Sequence, residues 1–104
     1  MNMMNFFMKE APEAAQAFNG LIRTLSTSTG LDPKTKQLIY ISMKASQGDA
    51  AAVTAHTHMV KNLGASRDEL KEAILMTLTV SGIKGVATCL KPALDVFDSE
   101  VDEK

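Results

Sequence analysis

The chain predicts an all-α fold of five or six helices assembled into an oligomer. Apolar residues recur at steps of three and four along most of the 104 residues, the period of helix faces rather than strands. Helix-start signals stand ahead of those runs at Asp32-Pro33, Asp49 and Ser66, and Gly64 fits a helix stop. Several helices carry apolar residues on more than one side, more surface than one small domain can cover.

The N-terminus gathers Met1, Met3, Met4, Phe6, Phe7 and Met8, so residues 1–11 are expected to form a docking arm, packed on its own domain or on a partner subunit. A Met-rich binding surface is the alternative. Pro12 opens a helix to about Leu25, with Ala14, Ala15, Phe18, Leu21, Ile22 and Leu25 inward, and residues 26–30 form a polar loop. Asp32 caps the next helix, with Pro33 in a first-turn position that needs no donor, and this helix runs to about Gln47. Leu38, Ile41 and Ala45 make one apolar stripe, and Ile39 with Met43 makes another.

Gly48-Asp49 breaks the pattern, and Asp49 caps a further helix. Ala52, Val53, His56, Met59, Val60 and Leu63 share its apolar face. His58 points away with Thr54, Lys61 and Asn62, so His56 and His58 cannot chelate one metal as residues four apart could. The very short connection makes these two helices antiparallel neighbours. Ser66 and Glu69 read as a capping box opening a helix at Arg67. Its charge is confined to the first two turns, and from Ala73 to Ile83 it is apolar or small all round, as expected of a helix at the centre of an assembly. A last helix spans about Lys84 to Phe97, with Pro92 placed to kink or interrupt it. Residues 98–104 are too charged to pack and read as a frayed tail.

Length makes this one domain, residues 1–104. A net charge of −1, scattered lysines, one Tyr, four Phe and no Trp give no platform for nucleic acid. The uncharged run from Ala73 to Ile83 would rise only ~16 Å as helix, short of the ~30 Å hydrocarbon layer, so no membrane partner is expected. The one cysteine, Cys89, excludes an internal disulfide and suits a reducing compartment. Cys89 reads as a small buried residue, and the start lacks a basic n-region, which together lead to a cytoplasmic expectation. There is no phosphate loop, nucleophile elbow or metal-ligand cluster, and no cofactor or metal is expected.

The order of motifs, LDPKTKQLIYISM, then AHTHMVKNLGASRDELKEAILMTLTVSGI, then a last helix with PAL, resembles the carboxymuconolactone decarboxylase and alkylhydroperoxidase-D-like family over about residues 31–97. The resemblance implies an alkylhydroperoxidase-D-like helical bundle and a trimer or hexamer of identical chains. In the redox-active branch a Glu is followed twelve residues later by Cys-x-x-Cys at a helix start, then by a His four residues on. Carried over residue by residue, the Glu falls on Gln37, the two Cys on Asp49 and Ala52, and the His on His56. Cys89 matches neither thiol.

The candidate site is therefore His56 with Gln37 and Asp49, with Ala52 at the second thiol position. On the residues alone, His56 reads as a core histidine hydrogen-bonding a neighbour such as Gln37, as a proton-transfer group in a small pocket, or as one ligand of a metal. Asp49 reads as a cap or an acid. Three functions stay open: a redox-silent oligomeric binding or scaffold protein holding a small molecule near His56, a decarboxylase-like acid–base enzyme acting through His56 on a small organic acid or lactone, and the peroxiredoxin-like antioxidant activity that the family label implies.

Overall fold

Local capping chemistry sets the helix boundaries in the computed structural model, which describes residues 2–99. The chain divides into two compact units, Met1–Leu31 and Asp32–Lys104. In the first, α1 (Met3–Glu10) begins at Asn2, whose side chain accepts from the Asn5 N–H, and α2 (Pro12–Thr27) begins with proline in its first turn. The rings of Phe7 and Phe18 meet at 6.3 Å between these helices. The arm is thus helical, and α2 continues two residues past the expected end at Leu25. Its expected inner side is mostly open: Ala15 is buried, whereas Phe18, Leu21, Ile22 and Leu25 are exposed.

The second unit holds α3 (Pro33–Ser46), α4 (Ala50–Asn62), α5 (Arg67–Leu75), the short α6 (Leu78–Ser81), a wide π turn (Val86–Leu90) and α7 (Lys91–Ser99). Among the described residues there is no β-strand. The three expected caps are present. Asp32 accepts from the Thr35 N–H, Asp49 from the Ala52 N–H, and Ser66 from the Glu69 N–H while Glu69 reaches back to the Ser66 N–H. Gly48 and Gly64 turn the chain at φ of 77° and 95°, a conformation open to glycine at little cost, and so end α3 and α4.

α3 packs on α4 and α5, and α4 packs on α7. Because Gln37, early in α3, meets His56, midway along α4, while Lys44 meets Asp49 beside the turn, α3 and α4 run antiparallel. The core comprises Ile41 and Ala45 of α3, Val53 and Val60 of α4, Leu70 and Ile74 of α5, Cys89 of the π turn and Ala93 of α7, with Ala65 from the loop. Gly85 permits the closest approach: a Cβ there would stand 2.6 Å from Thr77 Oγ1 and 2.8 Å from the Ala45 carbonyl oxygen.

Three further expectations need correction. The inward face of α4 is Val53, Thr57 and Val60, and Thr57 satisfies its buried hydroxyl by donating to the Val53 carbonyl. Met59 and Leu63, expected on that face, are exposed. The 73–83 stretch is not one helix: α5 ends at Leu75 and α6 covers only Leu78–Ser81, and on the single chain Met76, Val80 and Ile83 stand 61%, 81% and 66% exposed. Uniform apolar composition gave no face from which to read burial. The last helix is interrupted beside Pro92, as expected: a π turn, Val86–Leu90, stands just before Lys91-Pro92, and regular α-helix resumes only with α7. Finally, Asp98 and Ser99 are helical, and Asp98 pairs with Arg67 at 2.8 Å. The remainder of the expected frayed tail, 100–104, lies outside the described residues.

Candidate functional site

The sequence spacing that builds the site is the same on two helices. Gln37, Tyr40 and Lys44 stand at i, i+3 and i+7 on α3, and Asp49, Ala52 and His56 stand at i, i+3 and i+7 on α4, so each trio forms one stripe. The antiparallel pairing sets the stripes together, and all six residues are partly buried.

His56 lies at the far end of this row from the turn. Its Nδ1 is 2.7 Å from Gln37 Oε1, and its ring stands over Tyr40 with centroids 4.2 Å apart and planes inclined by 39°. An amide oxygen can only accept, so Nδ1 carries the proton and Nε2 keeps the lone pair in the neutral ring. Burial, and then the charge of Lys44, lower the pKa of His56 below the ordinary imidazole value. The ring is therefore held neutral, with one nitrogen fixed as donor and the other as acceptor.

At the turn end, Asp49 is engaged twice. One oxygen accepts the Ala52 N–H at 3.0 Å and the other meets Lys44 Nζ at 3.6 Å. Lys44 also stands 5.8 Å from the Tyr40 ring centre. Asp49 is a cap and an ion-pair partner in one. Ala52 adds only a methyl group to the gap between Asp49 and His56.

The structure brings Gln37 to His56 at one end of the row, and sets Asp49 against the Ala52 N–H and Lys44 at the other. It does not bring Cys89 there, which is buried within the core between the π turn and its neighbours. Sequence reasoning missed Tyr40 and Lys44. Their spacing from Gln37, matching that of the α4 trio, was the available signal. Among the described residues no group of three or more His, Cys, Asp or Glu side chains gathers as a metal would require. An open groove of about 320 Å³ lies on another side of α3, against α5, between Leu38, Ile39, Ala73 and Met76, and does not include His56. No described helix is long and apolar enough to cross a membrane.

The model of the carboxymuconolactone decarboxylase family matches residues 12–95. An uncharacterized protein of Cupriavidus necator is 27% identical over 88 residues, which cover 85% of this chain and 77% of that protein. A crystal structure from Burkholderia xenovorans LB400, of a protein provisionally named carboxymuconolactone decarboxylase, superposes with a TM-score of 0.82 at 26% identity and covers 92% of this chain and 75% of that one. With a helical bundle of this kind and a family match over residues 12–95, the chain belongs to the carboxymuconolactone decarboxylase family.

Proposed function

We propose that this chain is a redox-silent member of its family: a homo-oligomeric binding protein, trimeric or hexameric, that works in the cytoplasm and holds a small molecule against the His56 face. The observation that carries this reading is the pair Asp49 and Ala52 at the thiol positions of the family's redox motif. A carboxylate and a methyl group cannot exchange a disulfide. Asp49 is already engaged by the Ala52 N–H and Lys44. Cys89, the one thiol, is buried on a different element. Exposed apolar side chains on several elements, among them Ile39, Met43, Met76, Val80 and Ile83, support assembly.

The test is peroxide consumption with a dithiol reductant, for the natural protein, Cys89→Ser and Asp49→Cys/Ala52→Cys. No thiol-dependent turnover is expected from the first two. The double variant should form its disulfide, since two cysteines three apart at a helix start lie within bridging reach, and it should gain slow turnover. Turnover by the natural protein that vanishes in Cys89→Ser would overturn the reading.

A second reading has its own support. A neutral histidine whose tautomer is fixed by Gln37 presents Nε2 as a base, as proton abstraction from a small organic acid or lactone requires. Lactone or organic-acid turnover abolished in His56→Gln would favour it over binding alone.

A further inference from the structure

Two polar groups on the α3–α4 stripes have no hydrogen-bond partner among the described residues, His56 Nε2 and Lys44 Nζ. Gln37 occupies only the Nδ1 side of the imidazole, so the lone pair on Nε2 is left over. Lys44 Nζ stands 3.6 Å from Asp49, which makes an ion pair but is too long for a hydrogen bond. Both side chains are partly buried. Polar groups in that position gain from a ligand that bonds them.

The two groups ask different things of a ligand. A neutral imidazole nitrogen with a lone pair takes a donor, and an ammonium takes an anion. One ionised carboxylate cannot serve both, because it only accepts and would set lone pair against lone pair at Nε2. A ligand ammonium is a poor donor here, since the charge of Lys44 already acts on His56 and would repel it. The simplest neutral donor is a hydroxyl. Both groups also stand close to one ring: Lys44 Nζ lies 5.8 Å and the imidazole 4.2 Å from the centre of Tyr40. The hydroxyl and the anion therefore belong to one small molecule, a few bonds apart.

We propose that the His56 face binds a small hydroxycarboxylate, whose hydroxyl donates to His56 Nε2 and whose carboxylate accepts from Lys44 Nζ. Lys44 is then the residue that selects for charge, and His56 the one that selects for the hydroxyl. Asp49 stays beside Lys44 as its counter-ion, and Tyr40 backs the imidazole. This rests on the reading that the face holds a small molecule and is independent of redox silence and of assembly.

The experiment is a titration of the natural protein with three probes, followed by NMR of the histidine ring protons. The probes are 3-hydroxybutyrate, butyrate, which lacks the hydroxyl, and methyl 3-hydroxybutyrate, which lacks the charge. The hydroxy acid should move the His56 ring saturably and leave His58, exposed on another side of α4, in place. It should bind about tenfold tighter than either analogue, the difference made by one hydrogen bond to a charged or half-buried group. Lys44→Met should remove its advantage over the ester. His56→Phe, read on the Ala52 amide, should remove its advantage over butyrate, with circular dichroism checking both folds. The three-probe comparison on the natural protein decides the matter where a variant does not fold. An analogue that binds as tightly as the hydroxy acid, or an advantage that survives both substitutions, would overturn this ligand class and leave a small molecule on the face. A His56 ring that none of the three probes moves, or that moves no more than His58, would overturn the site and that reading together.

Discussion

Gln37 accepts a hydrogen bond from His56 across the α3–α4 interface at 2.7 Å, and in doing so replaces a proton acceptor with a neutral amide. The amide fixes the tautomer without adding negative charge, and burial with Lys44 leaves the ring below its ordinary pKa.

The first prediction follows from that charge difference. Gln37→Glu should raise the His56 pKa, because a carboxylate in direct contact favours the charged imidazolium. An NMR titration of the ring protons measures it. A pKa that stays below the ordinary imidazole value of 6.5 in the variant would mean that burial outweighs the new charge.

Stability should follow the same group. A histidine whose folded pKa is depressed binds protons more readily when unfolded. Its contribution is therefore complete above the unfolded value near 6.5 and is lost as pH falls through 6.5 toward the folded pKa. Urea midpoints should drop between pH 7 and 5, and less so in His56→Gln. Asp32, Glu69 and Asp98, held below the usual carboxylate range chiefly by hydrogen bonds from Thr35, Ser66 and Arg67, act in a lower window. Their stabilisation is present above the unfolded carboxylate value and disappears as pH falls through each folded pKa.

Gly85→Ala should destabilise the protein by about 1–3 kcal/mol, the usual range for overpacking. The added Cβ meets the backbone oxygen of Ala45 as well as Thr77 Oγ1, so Thr77→Ala should not restore the loss in the double variant. Urea unfolding of the three variants tests this. Full rescue by Thr77→Ala would show that the backbone had moved aside.

Ile74→Ala and Val80→Ala should part company. Ile74 is fully buried in the core, and truncation there costs about 2–5 kcal/mol. Val80 is 81% exposed, so truncation should leave unfolding of the isolated chain nearly unchanged. Equal losses in both would place Val80 inside an obligate interface.

Ser66→Ala tests the capping box and should cost about 1 kcal/mol, with Ser66→Gly costing less. Thermal unfolding followed by circular dichroism measures both.

These outcomes bear on what residues alone can reveal. Caps and breaks were legible because their chemistry is local: Asp32, Asp49 and Ser66 each bond an N–H three residues on, and Gly48 and Gly64 turn where expected. The His56–Gln37 contact was legible through the short turn, which sets the pairing of α3 with α4. Burial was less so. A 3.6-residue period locates an apolar face but not its centre, and on α4 the true centre lies at Thr57, a residue whose hydroxyl bonds its own helix. Residues 73–83 carried no period, and their exposure in the chain is a tertiary fact. Lys44 meets Asp49 only because the turn folds α3 back on α4, a contact that spacing within one helix does not reveal.

The wide turn at Val86–Leu90 has a consequence for rotational phase. In a regular α-helix Ala93 would lie about 80° around the axis from Gly85, eight residues earlier. Yet Gly85 abuts Ala45 and Ala93 is fully buried in the same core. A turn bonded i to i+5 takes up more chain per revolution and returns part of that angle. Face assignment by counting residues across 84–97 therefore slips by nearly one position. A relative one residue shorter between Gly85 and Ala93 could keep both contacts with an ordinary α-helix, so the length difference would fall where the backbone has already absorbed it.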